Sequence, residues 1–220
     1  MKRMSVWLLG AVLGCMLSCG IVVAQDVAEE AALADVEAFY PLAVGNVWIF
    51  ESEGGGPAST ETIVESREID GVTWFRLKGG VAEDPAQQVE EESWELWLAN
   101  LPDGHADADM LPDEQTGEEG LANQRVYFRF PAKEGETYKL SADDDAPMMM
   151  RVISTETRVL TPAGAFDCIV YQEYIPGDLS YTFRAYVSPG VGVVKTETLL
   201  DGELIVDVLR EYSLALPREE

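Results

Sequence analysis

From Tyr40 onward, apolar residues recur at every second position over short stretches, and β-branched and aromatic types dominate these stretches. A period of two is the signature of a strand with one buried face. Turn dipeptides interrupt the stretches at short intervals. The alternation therefore predicts an all-β protein.

Two Asp-Gly dipeptides locate hairpins in this pattern. Asp70-Gly71 lies between SREI and VTWFRL, and Asp201-Gly202 lies between TETLL and ELIVDV. A two-residue type I′ turn needs positive φ at both central residues, which Asp-Gly tolerates well. Further turns at 161–164, 176–178 and 189–190 predict an antiparallel meander from Met148 to Tyr212.

A repeat divides the chain into two parts. Tyr40-Pro41-x-x-x-Gly45-x-x-Trp48 is matched by Phe130-Pro131-x-x-x-Gly135-x-x-Tyr138, and similar features follow each opening in the same order. We expect a single β domain over 40–213, made of two related halves (40–129 and 130–213). About ten strands would be enough for a barrel, a half-barrel or a sandwich. The alternative is a chance match of common β-protein residues.

The N-terminus has the layout of a secretory signal over residues 1–24. Lys2 and Arg3 precede an uncharged apolar run that ends in small residues. Cleavage between Ala24 and Gln25 fits best. The alternatives are a lipoprotein acylated at Cys19 and an uncleaved anchor. We expect a periplasmic or extracellular protein, with membrane contact only through the signal segment or a lipid.

Two short segments flank the predicted β domain. Residues 25–39 are rich in alanine and acidic residues and are interpreted as a tether or short helix, and residues 214–220 as a tail. After cleavage only Cys168 would remain, so no intramolecular disulfide could form. We expect Cys168 to be a small buried hydrophobic residue.

The net charge of −25 excludes nucleic acid as a partner. Binding to a polyphosphate needs clusters of Lys and Arg, which this chain lacks. The same charge repels anionic lipid head groups. The remaining partner classes are a component of the cell envelope and a small apolar ligand, and the sequence does not indicate an oligomeric state.

Few residues suggest catalysis or cofactor chemistry. His105 is the only histidine and lies in an acidic segment (102–120) interpreted as a long exposed loop, so we expect a solvated imidazole. With 40 acidic residues, a carboxylate pair for hydrolysis can be proposed almost anywhere. No cofactor is expected beyond an adventitious, weak calcium ion at Asp107, Asp109 and Asp113, because their spacing matches no EF-hand.

Three side chains are candidates for ligand contact. Trp94, Leu96 and Leu98 share one strand face, and Trp97 lies on the other. We expect Trp97 to face solvent or a cavity, where it could stack on a ligand. Met148 and Met150 could line an adaptable apolar pocket, although an edge-strand or core role is favoured for them.

Three segments together carry a resemblance to a known group of proteins: YPLAVGNVW, TPAGAFDCIVY and YVSPGVGVVK. The chain resembles a group of bacterial exported or lipoprotein-type β-proteins of unknown function. The resemblance covers most of 40–212 and implies the fold and export without implying a chemistry. The weak lipobox of this sequence departs from the pattern of many such proteins.

These observations favour a non-enzymatic binding or interaction module of the cell envelope. The first alternative is a carrier that holds an apolar ligand such as a lipid in a β cavity. The second alternative is a carboxylate-based hydrolase. Only the presence of a cavity would separate the carrier from the interaction module.

Overall fold

The computed structural model describes residues 39–215, except residue 57 and residues 82–92, 110–123, 141–146 and 180. Twelve strands form within these described residues. They are β1 (Val47–Ser52), β2 (Ser59–Ile69), β3 (Val72–Val81), β4 (Ser93–Leu101), β5 (Gly104–Ala108), β6 (Arg125–Arg129), β7 (Thr137–Lys139), β8 (Met149–Thr161), β9 (Gly164–Tyr174), β10 (Tyr181–Ser188), β11 (Gly192–Leu200) and β12 (Glu203–Ser213).

All twelve strands belong to one antiparallel sheet. Its order is β6-β5-β4-β3-β2-β1-β12-β11-β10-β9-β8-β7, so strands that follow one another in sequence pair, except β6 and β7, and β1 also pairs with β12. The predicted all-β meander is confirmed, including the run β8–β12. The structure has more strands than expected because β5 lies in the predicted loop and β7 has only three residues.

The sheet curls strongly but does not close. Eight strands separate β6 from β9 in the sheet order, yet the rings of Phe128 on β6 and Tyr171 on β9 lie 4.8 Å apart. The edge strands β6 and β7 share no backbone ladder. The architecture is therefore an open half-barrel with a concave and a convex face, not a closed barrel or a sandwich of two sheets.

The two predicted hairpins have the backbone conformation expected from their Asp-Gly dipeptides. Asp70 and Gly71 have φ of 52° and 79°, and Asp201 and Gly202 have φ of 52° and 84°. Positive φ at both central residues is the requirement of a type I′ turn. These turns connect β2 to β3 and β11 to β12.

The openings of the two halves make the same three backbone hydrogen bonds. In the first half (40–129), Gly45 N donates to Ile63 O, Asn46 N to Ala43 O and Ile63 N to Asn46 O. In the second half (130–213), the bonds are Gly135 N to Val152 O, Glu136 N to Lys133 O and Val152 N to Glu136 O. These bonds place Ile63 and Val152 at matching positions of the two halves.

The concave face carries two large hydrophobic clusters. One centres on Phe39, Met150 and Tyr171, and the other on Trp48, Ile63 and Leu209. As predicted, Cys168 is buried, in the second of these clusters, where burial raises the pKa of its thiol to about 12.

The expectation that Trp97 faces solvent or a cavity is wrong. Trp97 is only 8% exposed and packs with Trp74 and three alanines in a third cluster. The guanidinium groups of Arg67 and Arg76 lie over its ring, at 5.2 and 5.9 Å from the centroid. Because Trp97 alternates with Leu96 and Leu98, this cluster lies on the convex face. The alternation correctly predicted that Trp94 and Trp97 lie on opposite faces of the sheet. It could not show that the convex face is buried as well as the concave face.

The first part of the predicted long loop is also different in the structure. Residues 104–108 form β5, and Gly104 lies so close to β6 that a Cβ there would be 2.2 Å from Phe128 O. Gly104 also has φ of 150°, so glycine is required at this approach. The rest of that segment, from 110 on, lies outside the described residues.

Several sequence predictions concern residues outside the described part of the chain. These are the signal segment (1–24) with Cys19, Ala24 and Gln25, the tether up to residue 38, and residues 216–220. Among the described residues, no helix is long and apolar enough to span a membrane.

Candidate functional site

The concave face contains a half-open cavity of about 330 Å³, mostly within the first half. This volume lies at the lower end of the range of small-molecule pockets, roughly 300–1,000 Å³. The apolar walls are Phe50, Leu77, Trp94, Leu96, Leu98, Phe128, Phe183 and Val193. The polar lining residues are Tyr40, Ser59, Glu61, His105, Asp107, Arg125, Tyr127, Thr196 and Asp207.

Gly79 and Trp94 shape one wall of the cavity. The two residues are opposite each other on β3 and β4. A Cβ on Gly79 would lie 2.1 Å from the indole of Trp94, so the ring rests directly on the glycine backbone. Trp94 is still 43% exposed. The missing side chain of Gly79 thus lets an aromatic surface lie flat beside the cavity.

Glu61 faces the cavity from β2 and lies opposite Gly79. Protein surrounds the Glu61 side chain, which is half-buried. The part that remains exposed faces the cavity. Within the described part of the chain, no hydrogen bond or ion pair partners its carboxyl group. Burial raises the pKa of Glu61 from 4.5 to about 7, because a low-dielectric site disfavours the charged form.

His105 is buried, which contradicts the expectation of a solvated imidazole. Its side chain is 2% exposed, and its ring stacks on Tyr40 with centroids 3.8 Å apart. Burial lowers the pKa of His105 to about 3, so the ring is neutral near pH 7. The segment 102–120 is acidic, but Tyr40 comes from far away in sequence to cover the ring.

Asn100 orients both partners of this stack. Its Nδ2 donates to Tyr40 O at 2.9 Å, and its Oδ1 lies 3.2 Å from His105 Nδ1. Because the amide oxygen can only accept, we assign the proton of the neutral imidazole to Nδ1. Burial also raises the pKa of Tyr40, and the nearby charge of Glu61 adds to this effect.

Arg125 and Asp107 form a bidentate ion pair at the cavity wall. Arg125 Nε and Nη2 donate to the two carboxylate oxygens of Asp107 at 2.7 and 3.0 Å. The hydrogen bonds to Asp107 raise the pKa of Arg125 above its ordinary value. Since both oxygens of Asp107 are engaged, its charge is matched within the protein.

A second polar cluster connects the two ends of the curled sheet. Glu173 on β9 is 4% exposed and accepts hydrogen bonds from Tyr127 of β6 at 2.6 Å and from Tyr181 of β10 at 2.5 Å. Arg125 lies over the Tyr127 ring at 5.2 Å. This cluster therefore links β6 to β9 and β10 where no backbone ladder does.

The described residues do not assemble the predicted calcium site. Asp107 is bound to Arg125, Asp109 is exposed at the end of β5, and Asp113 lies outside the described residues. Among the described residues, no group of three or more His, Cys, Asp or Glu side chains could hold a metal ion.

The two predicted methionines do not line the cavity. Met150 is fully buried in the concave cluster around Tyr171, and Met148 packs against the same cluster. Both methionines therefore lie in the packed interior of the second half, which is the core role that the sequence also allowed.

Sequence reasoning overlooked Glu61, Trp94, Arg125 and Asp207. The signal for Glu61 was visible, because alternation puts it on the same face as Ile63. An acidic residue on a core-facing strand side is unusual and suggests a specific role. Arg125 lies five residues beyond the end of the segment interpreted as a loop, and no strand face was assigned to it.

Comparisons with family models and with curated proteins find no match for this chain. Two solved structures are similar in part. One is a Bacteroides fragilis protein assigned as exported, with a YmcC-like fold. It is 15% identical to this chain with a TM-score of 0.49, and the match covers 80% of this chain and 99% of that chain. The other is a Parabacteroides distasonis protein assigned as a lipoprotein. It is 16% identical to this chain with a TM-score of 0.47, and the match covers 80% of this chain and 98% of that chain. Neither likeness assigns a ligand or an activity to this chain.

Proposed function

We propose that this chain is an exported binding protein that holds a small, mainly apolar ligand in the cavity of its concave face. The observation that carries the proposal is the cavity of about 330 Å³ inside an otherwise packed half-barrel. Small-molecule sites are concave clefts or cavities of roughly 300–1,000 Å³, and they are few in any one protein. A space for roughly ten waters therefore favours a ligand over a protein partner.

The lining supports a ligand with an apolar body. Four aromatic rings and four aliphatic side chains form the walls, and the nine polar lining residues come from five strands and the segment before β1. Ligand pockets typically combine such walls with a few placed polar groups that orient the ligand. Export remains part of the proposal, supported by the basic and apolar N-terminal segment.

Native mass spectrometry of the protein purified from the envelope of its producing cell tests this function. We expect a chain that begins at Gln25 and carries a releasable small-molecule adduct. Acylation at Cys19 would place the same binding protein on a lipid anchor. A chain without an adduct that also fails to bind a neutral aromatic probe such as 2-naphthylmethanol would refute the binding function.

A carboxylate-based hydrolase is the second candidate, favoured by one observation. Glu61, with a pKa of about 7, shares the cavity with Asp207. Glycoside hydrolases use one carboxyl group as an acid and a second as a carboxylate. Turnover of any member of a broad glycan panel, abolished by Glu61→Gln, would establish it; no turnover would remove it.

A further inference from the structure

Among the described residues, Glu61 differs from the other ionisable side chains of the cavity in having no hydrogen-bond or ion-pair partner. Asp107 is bound to Arg125, His105 to Asn100 and Tyr127 to Glu173. Tyr40 is hydrogen-bonded to the backbone of Val193, and Asp207 to Ser52. Within the described residues, Glu61 alone is left to interact with whatever fills the cavity.

An unpartnered carboxyl group away from bulk water is costly, so its presence calls for an explanation. A methionine occupies the matching position of the second half, where Met150 is fully buried. The same backbone frame thus accommodates an apolar side chain. A role in ligand recognition explains why the first half has an acid there.

Trp94 lies next to Glu61 on the concave face. Both residues flank Gly79, one on each neighbouring strand. Two strand spacings put their Cα atoms about 10 Å apart, and the indole ring covers the glycine between them. A flat apolar group stacked on Trp94 would therefore bring a substituent within reach of the carboxyl group.

We propose that Glu61 recognises the protonated amine of a ligand whose apolar, ring-sized body packs against Trp94. This inference rests on the proposed function, since it names the chemical class of that ligand. Among the described residues, the only cationic group that lines the cavity, Arg125, is already matched by Asp107. A cation is therefore favoured and an anion is disfavoured, and the ring face of Trp94 adds further attraction for a cation.

Isothermal titration calorimetry with a matched pair of probes tests the assignment. The probes are 2-naphthylmethylamine and 2-naphthylmethanol, which share the ring and differ in the charged group. At about pH 8 the carboxyl group is ionised, since its pKa is about 7. About 0.3 M salt screens the general attraction of an acidic protein for cations.

We expect the amine to bind at least about tenfold more tightly than the alcohol, as a charge-assisted hydrogen bond would provide. Glu61→Gln should reduce this ratio to within about threefold and leave the affinity for the alcohol unchanged. Glu156→Gln, at an exposed carboxyl group of β8, is the matched control and should keep the full ratio.

The outcomes separate this inference from the proposed function. If the amine and the alcohol bind the unmodified protein equally, or if Glu61→Gln keeps the tenfold ratio, the cavity binds ligands but Glu61 does not select an amine. If neither probe binds, the proposed function fails together with the inference. The comparison of the two probes on the unmodified protein remains decisive even if the variant does not fold.

Discussion

The concave face is filled in the second half of the sheet and hollow in the first, although both halves begin with the same backbone hydrogen bonds. Ile63 and Val152 occupy matching positions. Ile63 pairs with Leu77 across β2 and β3, and Val152 pairs with Tyr171 across β8 and β9. Leu77 therefore stands where the second half has a fully buried tyrosine.

The next pair of positions increases this difference. In the first half, Glu61 is opposite Gly79; in the second half, Met150 is opposite Glu173. Gly79 has no side chain, whereas Glu173 is buried and bound by two tyrosine hydroxyl groups. The two smaller side chains on β3 thus leave space for the cavity in the first half.

The strands at the two junctions between the halves also differ. At one junction β1 and β12 form a backbone ladder, with one irregularity between Ile49 and Phe50. At the other, the hydroxyl group of Tyr138 donates to Tyr127 O at 2.7 Å and accepts from Arg129 N at 3.1 Å. Tyr171 donates to Arg129 O at 2.7 Å. Tyrosine hydroxyls thus satisfy the edge of β6, where a ladder would close the barrel.

Tyr171→Leu gives the second half the residue that the first half has at the matching position, Leu77. Of all the changes, it should have the largest effect on stability. The change removes a buried ring and leaves Arg129 O without its donor, so we expect the free energy of unfolding to fall by roughly 3–4 kcal/mol. Urea denaturation measures it. Tyr171→Phe, which removes only the hydroxyl group, should cost about 1–2 kcal/mol. A loss below about 1 kcal/mol for Tyr171→Leu would show that this ring does not hold the second half together.

The pH dependence of stability should reveal the burial of Glu61. Its pKa is about 7 in the folded protein against an ordinary 4.5. The folded state therefore keeps a proton that the unfolded chain releases, so this contribution is complete below about pH 4.5 and is lost as pH rises through 7. The loss is at most about 3 kcal/mol.

The test compares urea denaturation of the unmodified protein and of Glu61→Gln at about pH 5 and pH 8. Both proteins keep the buried His105, whose low pKa acts in the opposite direction, so its effect cancels in the comparison. We expect the unmodified protein to lose stability relative to the variant as pH rises. Parallel curves would show that Glu61 is as well solvated as a surface carboxyl group.

Tyr138→Phe tests the hydroxyl contacts at the open junction. The change leaves Tyr127 O and Arg129 N without partners while the ring stays in place. We expect a loss of about 2 kcal/mol in the free energy of unfolding, because unsatisfied buried backbone groups are costly. Tyr212→Phe, at a ring that is 38% exposed, is the control and should change little. Equal losses in the two variants would contradict a special role for this edge.

Trp94→Ala should weaken ligand binding with little effect on folding. Trp94 is 43% exposed and supplies one wall of the cavity, so we expect about a tenfold loss of affinity for 2-naphthylmethanol. Trp97→Phe should instead lower stability and leave the affinity unchanged, since Trp97 packs on the convex face. Titration calorimetry and denaturation of both variants separate these roles. The reverse pattern would place the ligand on the convex face.

Local features of the fold could be predicted because neighbours along the chain decide them. An Asp-Gly pair reaches positive φ wherever it connects two strands, as at Asp70-Gly71, and alternation decides that Trp94 and Trp97 lie on opposite faces. The meander follows from short turns between such strands. These properties do not depend on the rest of the molecule.

The site could not be predicted in the same way, because it depends on which strands the curled sheet brings together. His105 is buried because Tyr40 stacks on it, and Glu61 is isolated because Gly79 and Trp94 leave a space beside it. The acidic composition around His105 indicated exposure, since composition does not register contacts between distant segments. The sequence by itself determined most of the strands, the turns between them and the two faces of each predicted strand. The tertiary structure alone decided which face encloses the cavity and which carboxyl group in it has no partner, because burial is set by the side chains that meet across the sheet.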